Sequence, residues 1–323
     1  MEAIIYTQYG SPDVLQLKEI EKPTPGEHEV LVKVHAASVN SWDWDLVRGK
    51  PYLSRLFFGI RKPKFPVIGS DIAGVVESVG PGVKDLKVGD AVFGDISGHG
   101  FGAFAEYATA PADVLAKKPQ KMSYAQAASL SQAAVLAWQG LFKEGKLAAG
   151  EHILINGAGG GVGTFAIQMA KHTGAEVTAV DRRDKFELMK SLGADHLIDY
   201  QQEDFTNSGP FDLIYDVVAK RSLPEYRKAL RPGGRFVMAG GAISTIFQLL
   251  FMGKWYARDE QKSFALLMHQ PNKNDLEELA ALFEDGALHP VIDHIYPLEE
   301  TGKAVQYLGN GHVKGNLIIS LLK

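Results

Sequence analysis

The 323-residue sequence contains no cysteine. Disulfides are therefore excluded, and so is any metal centre built on thiolates. Nor is there an excess of charge of either sign, since 34 basic residues stand against 38 acidic ones for a net charge of −4. Taken over the whole chain, that balance leaves no electrostatic footprint for nucleic acid or for an anionic membrane. Long apolar runs are missing as well. The greasiest stretch, Ala242 to Met252, is interrupted by Ser244, Thr245 and Gln248 and falls short of the ~20 residues that a membrane span needs. No membrane insertion is expected. Met1-Glu-Ala-Ile-Ile-Tyr-Thr7 lacks the basic segment and apolar core of a secretory signal, so the cytosol is the expected compartment. Internal repeats and low-complexity segments are also absent.

What the chain does have is a strand, a tight turn and a helix in immediate succession. Ile153-Leu-Ile-Asn156 is a short apolar run, Gly157-Ala-Gly-Gly-Gly-Val-Gly163 a glycine-dense turn, and Thr164 to Lys171 an amphipathic segment. This order presents helix N-terminal amides to a phosphate, which makes a dinucleotide the expected ligand. The spacing departs from G-x-G-x-x-G, because Ala158, Gly160 and Gly163 fill the three small-residue positions. Ala158, Gly159, Gly160, Gly161, Val162 and Gly163 are the expected pyrophosphate contacts. A turn that only packs helix on strand is the plainer alternative.

Around this turn the periodicity divides the chain. Residues 1–122 show short β-type runs between prolines and glycines, at Ala3–Tyr6, Glu29–His35, Ile72–Val79 and Ala91–Phe93, as in an antiparallel, partly closed β-domain. From Ser123 the pattern turns helical. Strand and helix then alternate through Glu176–Val180, His196–Ile198, Leu213–Val217 and Arg235–Ala239, with a helical tail from Leu276 to Phe283. Such alternation predicts a doubly wound parallel sheet, hence an α/β chain. After Gly286 the short strands Val291–Tyr296 and Asn316–Ser320 return, around a helix at Glu299–Leu308. The expected division is 1–122, completed by 290–323, and 123–289.

Several blocks, in this order, resemble one family: Pro25-Gly-Glu-His-Glu-Val-Leu-Val-Lys-Val34, Ser38-Val-Asn40 with Asp43, Pro66 to Gly80, Val88 to Gly94, Gly102 to Tyr107 and Ser191 to Tyr200. The chain is similar over nearly its whole length to medium-chain dehydrogenase/reductases, in the zinc-free quinone oxidoreductase branch that includes zeta-crystallin. The resemblance implies a GroES-like β-domain on the substrate side and a Rossmann domain for NAD(P)H. Zinc-dependent members hold a metal with two cysteines and a histidine, next to a glutamate. Here Asn40 stands at the first cysteine and Ser70-Asp71 replaces His-Glu, a poor donor set for zinc. No metal is expected, and isolated His35 and His99 do not supply one.

Asp181 ends the second strand of the alternation, where a carboxylate bonds the ribose 2′-hydroxyl and favours NAD(H). Arg182, Arg183 and Lys185 follow it and are able to grip a 2′-phosphate. In relatives of this branch a lysine and a tyrosine, spaced as Lys185 and Tyr200, make that contact, so NADP(H) is favoured over NAD(H). Further contacts carried over by position are Asn40 and Gln132 near the nicotinamide, Val217 and Gly240-Gly241 at strand ends, and Lys314 with Asn316 in the returning segment.

Without a metal to polarise it, the hydride acceptor must already be electrophilic, such as a quinone or an α,β-unsaturated carbonyl. Catalysis then rests on proximity and on a hydrogen bond to the oxygen that gains charge. Tyr52 and Asn40 are the expected donors, while Asp43 and Asp71 are expected to be structural. Phe57 in the segment Leu53–Ile60, with Phe247, Phe251 and Trp255 in the segment Ile243–Trp255, are candidates to line a pocket for a hydrophobic acceptor. Two other readings remain. A nicotinamide-binding protein with a structural or sensing role shares the same motifs, and a methyltransferase using S-adenosylmethionine shares Leu230-Arg-Pro-Gly-Gly-Arg235 before a strand. Relatives pair edge strands of their sheets, which implies a homodimer with Arg235–Ala239 or its neighbour near the two-fold axis.

Overall fold

Short apolar runs broken by glycine and proline become strands over the first 120 residues, in a computed structural model that describes residues 1–256 and 261–322, apart from the side chains of 254–256. Glu2–Ile5 (β1) pairs antiparallel with Gln16–Glu19 (β2). The valine-rich run extends beyond its expected end as Glu29–Val39 (β3). It is followed by helices Ser41–Arg48 (α1) and Arg55–Phe58 (α2), strands Asp71–Val79 (β4), Ala91–Asp95 (β5), Tyr107–Pro111 (β6) and Leu115–Lys117 (β7), and helix Tyr124–Ser131 (α3). A reciprocal cap starts α3, where Ser123 Oγ accepts from Gln126 N–H and Gln126 Oε1 accepts from Ser123 N–H.

Ala133–Trp138 (α4) leads into the glycine-turn unit: His152–Asn156 (β8), Gly161–Thr173 (α5), Glu176–Asp181 (β9), Phe186–Ser191 (α6), His196–Asp199 (β10), Phe211–Asp216 (β11), Leu223–Ala229 (α7), Leu230–Met238 (β12), Ile243–Tyr256 (α8) and Ser263–Leu266 (β13). Lys273–Glu284 (α9), Ile292–Pro297 (β14), Thr301–Gly309 (α10) and Asn316–Ser320 (β15) complete the chain.

The contacts divide these elements into two units, 1–132 with 271–284 and 292–323, and 133–270 with 285–291. In the first unit one sheet runs β14-β15-β3-β4-β5-β7, with β6 also on β3. Every pairing in it is antiparallel except β14 with β15. Its core is the apolar face of these strands, including Val30, Val32, Ile72, Val92, Leu317 and Ile319, with Phe104 from the segment before β6. In the second unit the six strands run β10-β9-β8-β11-β12-β13, all parallel. The order reverses between β8 and β11, which in an open parallel sheet marks where ligands bind.

This division differs from the expected one in that 290–291 fall in the second unit and two stretches of the 123–289 block fall in the first. Tyr124–Gln132 and 271–284 join the first unit, because α3 lies on β3, β4 and β5 and α9 lies on β7 and α3. Strand β13, Ser263–Leu266, was not expected. Its presence gives β12 a neighbour on each side, so Arg235–Ala239 offers no free edge; the edges are β10 and β13.

Candidate functional site

The glycine turn sits where strand order reverses. Helix α5 begins after Gly160 without a side-chain cap, so no capping side chain takes up its first-turn amides. A Cβ on Gly163 would stand 2.3 Å from the Gly157 carbonyl oxygen, which explains glycine where helix and turn cross. Beside the turn, the buried Asp216 ends β11. Its carboxylate accepts from Asn156 Nδ2 at 3.0 Å, Val218 N–H at 2.8 Å, Ala219 N–H at 2.6 Å and Tyr226 Oη at 2.7 Å. Burial pushes the Asp216 pKa up and these bonds oppose it. The network fixes the segment after β11 against the turn: a Cβ on Gly157 would meet Val217 at 2.4 Å, and one on Gly240 the Val217 carbonyl oxygen at 2.9 Å. Val217, Gly240, Gly241 and the glycine turn are thus brought together. Asn156, Asp216 and Tyr226 were missed in the sequence, where nothing signals a bond across 60 residues.

At the far end of β9, Asp181 and Lys185 are each 6% exposed. Asp181 accepts from Gly159 N–H at 2.9 Å and Arg182 N–H at 2.8 Å, and its carboxylate lies 3.2 Å from Lys185 Nζ. The expectation set Asp181 and Lys185 against each other as rival selectors. The structure joins them as an ion pair resting on the turn, and a Cβ on Gly159 would strike Lys185 Cδ at 2.5 Å. Tyr200 follows Asp199, the ladder partner of Asp181. Its hydroxyl pKa is raised by partial burial and then by the Asp181 charge. Arg182 Nε pairs with Asp184 at 3.0 Å, and Arg183 is exposed. Of these residues, Asp181 and Lys185 lie directly against Gly159.

The first unit holds a second polar cluster. Asn40 Nδ2 donates to Asp71 Oδ2 at 2.9 Å, and Asn40 N–H donates to Asp43 at 2.8 Å. Gly69 N–H donates to Asp43 at 3.0 Å. Asp71 and Asp95 are direct cross-strand partners on β4 and β5. Gln132 Nε2 reaches Asp95 at 3.2 Å and Ser70 Oγ at 3.4 Å. All these side chains except Asn40 are buried, and Asp43 and Asp71 accept from neutral backbone and side-chain amides and the Ser70 hydroxyl. Burial pushes Asp43 up to about 7, and burial with the neighbouring Asp95 holds Asp71 well above the usual carboxylate range. Gln132, expected near the nicotinamide, is bound inside this cluster. His35 lies edge-on to Tyr124 at 4.4 Å. Among the described residues no three His, Asp or Glu side chains form a metal-holding group.

The remaining candidates lie on separate elements. Tyr52 is exposed, with Arg55 and Lys50 beside its ring at 5.0 and 5.9 Å, and no described contact joins it to Asn40. Phe57 is exposed on α2. Phe247 and Phe251 stack on α8 with centroids 6.1 Å apart, while the Trp255 side chain lies outside the described residues. Lys314 donates its N–H to Asp293, and Asn316 is buried at the start of β15.

Two family models match this chain, an alcohol dehydrogenase GroES-like domain over residues 26–120 and a zinc-binding dehydrogenase domain over residues 192–319. The second span contains none of Asn40, Ser70 and Asp71. The chain is 36% identical to a 2-methylene-furan-3-one reductase of Solanum lycopersicum, across 99% of this chain and 79% of that protein. It is 33% identical to the chloroplastic NADPH-dependent alkenal/one oxidoreductase of Arabidopsis thaliana, with the same coverage. The quinone oxidoreductase structure from Coxiella burnetii superposes with a TM-score of 0.90 at 30% identity, over 100% of this chain and 99% of that one. Among the described residues no helix is long and apolar enough to cross a membrane. By these relatives, and by the doubly wound sheet with its glycine turn, the chain belongs to the medium-chain dehydrogenase/reductase superfamily, in the quinone oxidoreductase branch.

Proposed function

We propose that this protein is an NADPH-dependent reductase that delivers hydride to a quinone or an α,β-unsaturated carbonyl without a metal ion. The observation that carries the metal-free part is the Asn40 to Asp71 hydrogen bond: Asn40, at the first ligand position, is bonded to the residue at the glutamate position, and neither Asn40 nor Ser70 offers a thiolate or an imidazole. Relatives named as alkenal and furanone reductases support the acceptor class. They do not favour the methyltransferase or the non-catalytic reading.

The nicotinamide, when bound, supplies the hydride. The chain's own residues do the rest. The amides of Ala158, Gly159 and Gly160 are engaged by Val180, Asp181 and Gly157, so the first-turn amides of Gly161, Val162 and Gly163, with Val217, Gly240 and Gly241 beside them, hold the pyrophosphate. Lys185, Arg182, Arg183 and Tyr200 receive the 2′-phosphate, with Asp181 holding Lys185 in place until it arrives. Asn40 spends one amide N–H on Asp71, which fixes the plane of the amide and leaves the other N–H for the acceptor oxygen that gains charge. Tyr52 is the proposed proton or hydrogen-bond donor, with Phe57, Phe247, Phe251 and Trp255 the proposed acceptor wall and Gln132, Lys314 and Asn316 proposed supports of the cofactor. We read the active species as a homodimer in the cytosol. A screen of NADPH and NADH oxidation against alkenals, quinones and saturated ketones tests the reading. Turnover of the first two with NADPH is expected, and turnover confined to saturated ketones or alcohols would overturn it.

A further inference from the structure

Between Asp45 and Asp71 the sequence has six basic residues, Arg48, Lys50, Arg55, Arg61, Lys62 and Lys64, and no acidic one. The chain's net charge of −4 averages over this stretch, so the whole-chain balance gave no hint of it. The structure shows how the segment is mounted. Phe58 turns inward, with ring centroids 6.0 Å from Trp42 and 6.1 Å from Phe101, and Phe65 packs on Phe101 at 5.5 Å. Tyr9 Oη donates to the carbonyls of Phe58 and Gly59 at 3.0 and 2.6 Å. Lys64 N–H closes the loop on the Phe58 carbonyl at 2.8 Å, and Arg55 Nε donates to the Gly49 carbonyl.

With its inner side fastened in this way, the segment holds its other apolar side chains in solvent. Leu56 is 64%, Phe57 72% and Ile60 67% exposed. Exposing three large apolar groups on a fastened loop is costly in water unless something covers them. Lys50, Arg61, Lys62 and Lys64 flank them, all exposed, and none has an acidic partner among the described residues. Apolar side chains flanked by cations without acidic partners match an anionic bilayer, whose headgroups take the cations while the acyl boundary takes the apolar groups.

We propose that residues 50–64 form a peripheral docking surface for an anionic lipid bilayer. This goes beyond the reductase reading and stands or falls separately from it, because its test is binding. Full-length protein is sedimented with vesicles of phosphatidylcholine alone and with vesicles containing phosphatidylglycerol at roughly the anionic density of a cytoplasmic leaflet. Binding to the anionic vesicles alone, weakened by salt, is the expected result. Each cation near such a surface contributes roughly a fivefold factor in partitioning, so the triple variant R61E/K62E/K64E should bind at least ~100-fold more weakly. Leu56→Ser with Ile60→Ser, which leaves the charges in place, should lower binding about tenfold. Equal binding to neutral and anionic vesicles, no binding to either, or wild-type binding by either variant would overturn the proposal.

Discussion

Asp181→Ser separates two roles that the structure has tied together. In the wild type, the Asp181 carboxylate neutralises Lys185 at 3.2 Å and accepts from Gly159 N–H, with both side chains almost fully buried. Serine removes the charge and leaves the Lys185 ammonium without its anion in a dry site. Breaking a buried pair from one side costs about 3–5 kcal/mol, and the pair's place near the surface of the turn puts this case at the lower end, ~3 kcal/mol. Urea unfolding of the cofactor-free protein should show that loss as a lower midpoint at unchanged slope. NADPH should then restore much of it. A ligand at 100 times its Kd stabilises by about 2.7 kcal/mol, and its 2′-phosphate gives Lys185 a new anion. Removing a carboxylate from beside that phosphate should also raise the ratio of kcat/KM for NADPH over NADH by roughly tenfold, about 1.4 kcal/mol. A ratio that stays the same or falls would refute the placement of Asp181 and Lys185 at the 2′ position. An apoprotein as stable as the wild type would refute the stabilising ion pair between Asp181 and Lys185.

Tyr52→Phe should lower turnover of enones by roughly ten- to a hundredfold, in the range of a lost proton donor, with KM for NADPH unchanged; steady-state kinetics with unaltered kcat would remove Tyr52 from the mechanism. Asp43 is fully buried and its pKa is raised to about 7, so the folded protein holds a proton that the unfolded chain releases near pH 4. The stability this gives is complete below the unfolded value and is lost as pH rises toward 7, at roughly 1.4 kcal/mol per pH unit, with Asp71 acting in the same direction. Asp43→Asn should flatten that slope between about pH 5 and pH 7 in chemical denaturation curves. An equally steep slope in the variant would place the proton elsewhere.

Elements with strong local signals were legible in the sequence. The strand, glycine turn and helix at Ile153–Thr173 and the alternation from β9 to β12 carry their own periodicity, and the position of Asp181 at a strand end follows from it. Short strands were legible only where they are apolar runs, as in β1 and β10; β2, exposed throughout as Gln16-Leu-Lys-Glu19, was not legible, nor were β7 and β13. Side-chain pairings followed distance along the chain. Asp181 and Lys185 are four residues apart, so their contact was within reach of a local reading, although they were taken as rivals. Asp71 opposite Asp95, and Asn156 on Asp216, depend on strand register and neighbour order, which no local pattern encodes. The return of 271–284 to the first unit is of the same kind, since an amphipathic helix does not name the sheet it covers.

The destination of the hydride tests the central claim most directly. The protein, dialysed against a chelator, is given NADPH labelled with deuterium at the transferring position and a simple enone, and the product is analysed by NMR. The account predicts deuterium on the β-carbon at an undiminished rate. Deuterium on the carbonyl carbon, or a reaction abolished by the chelator, would contradict it.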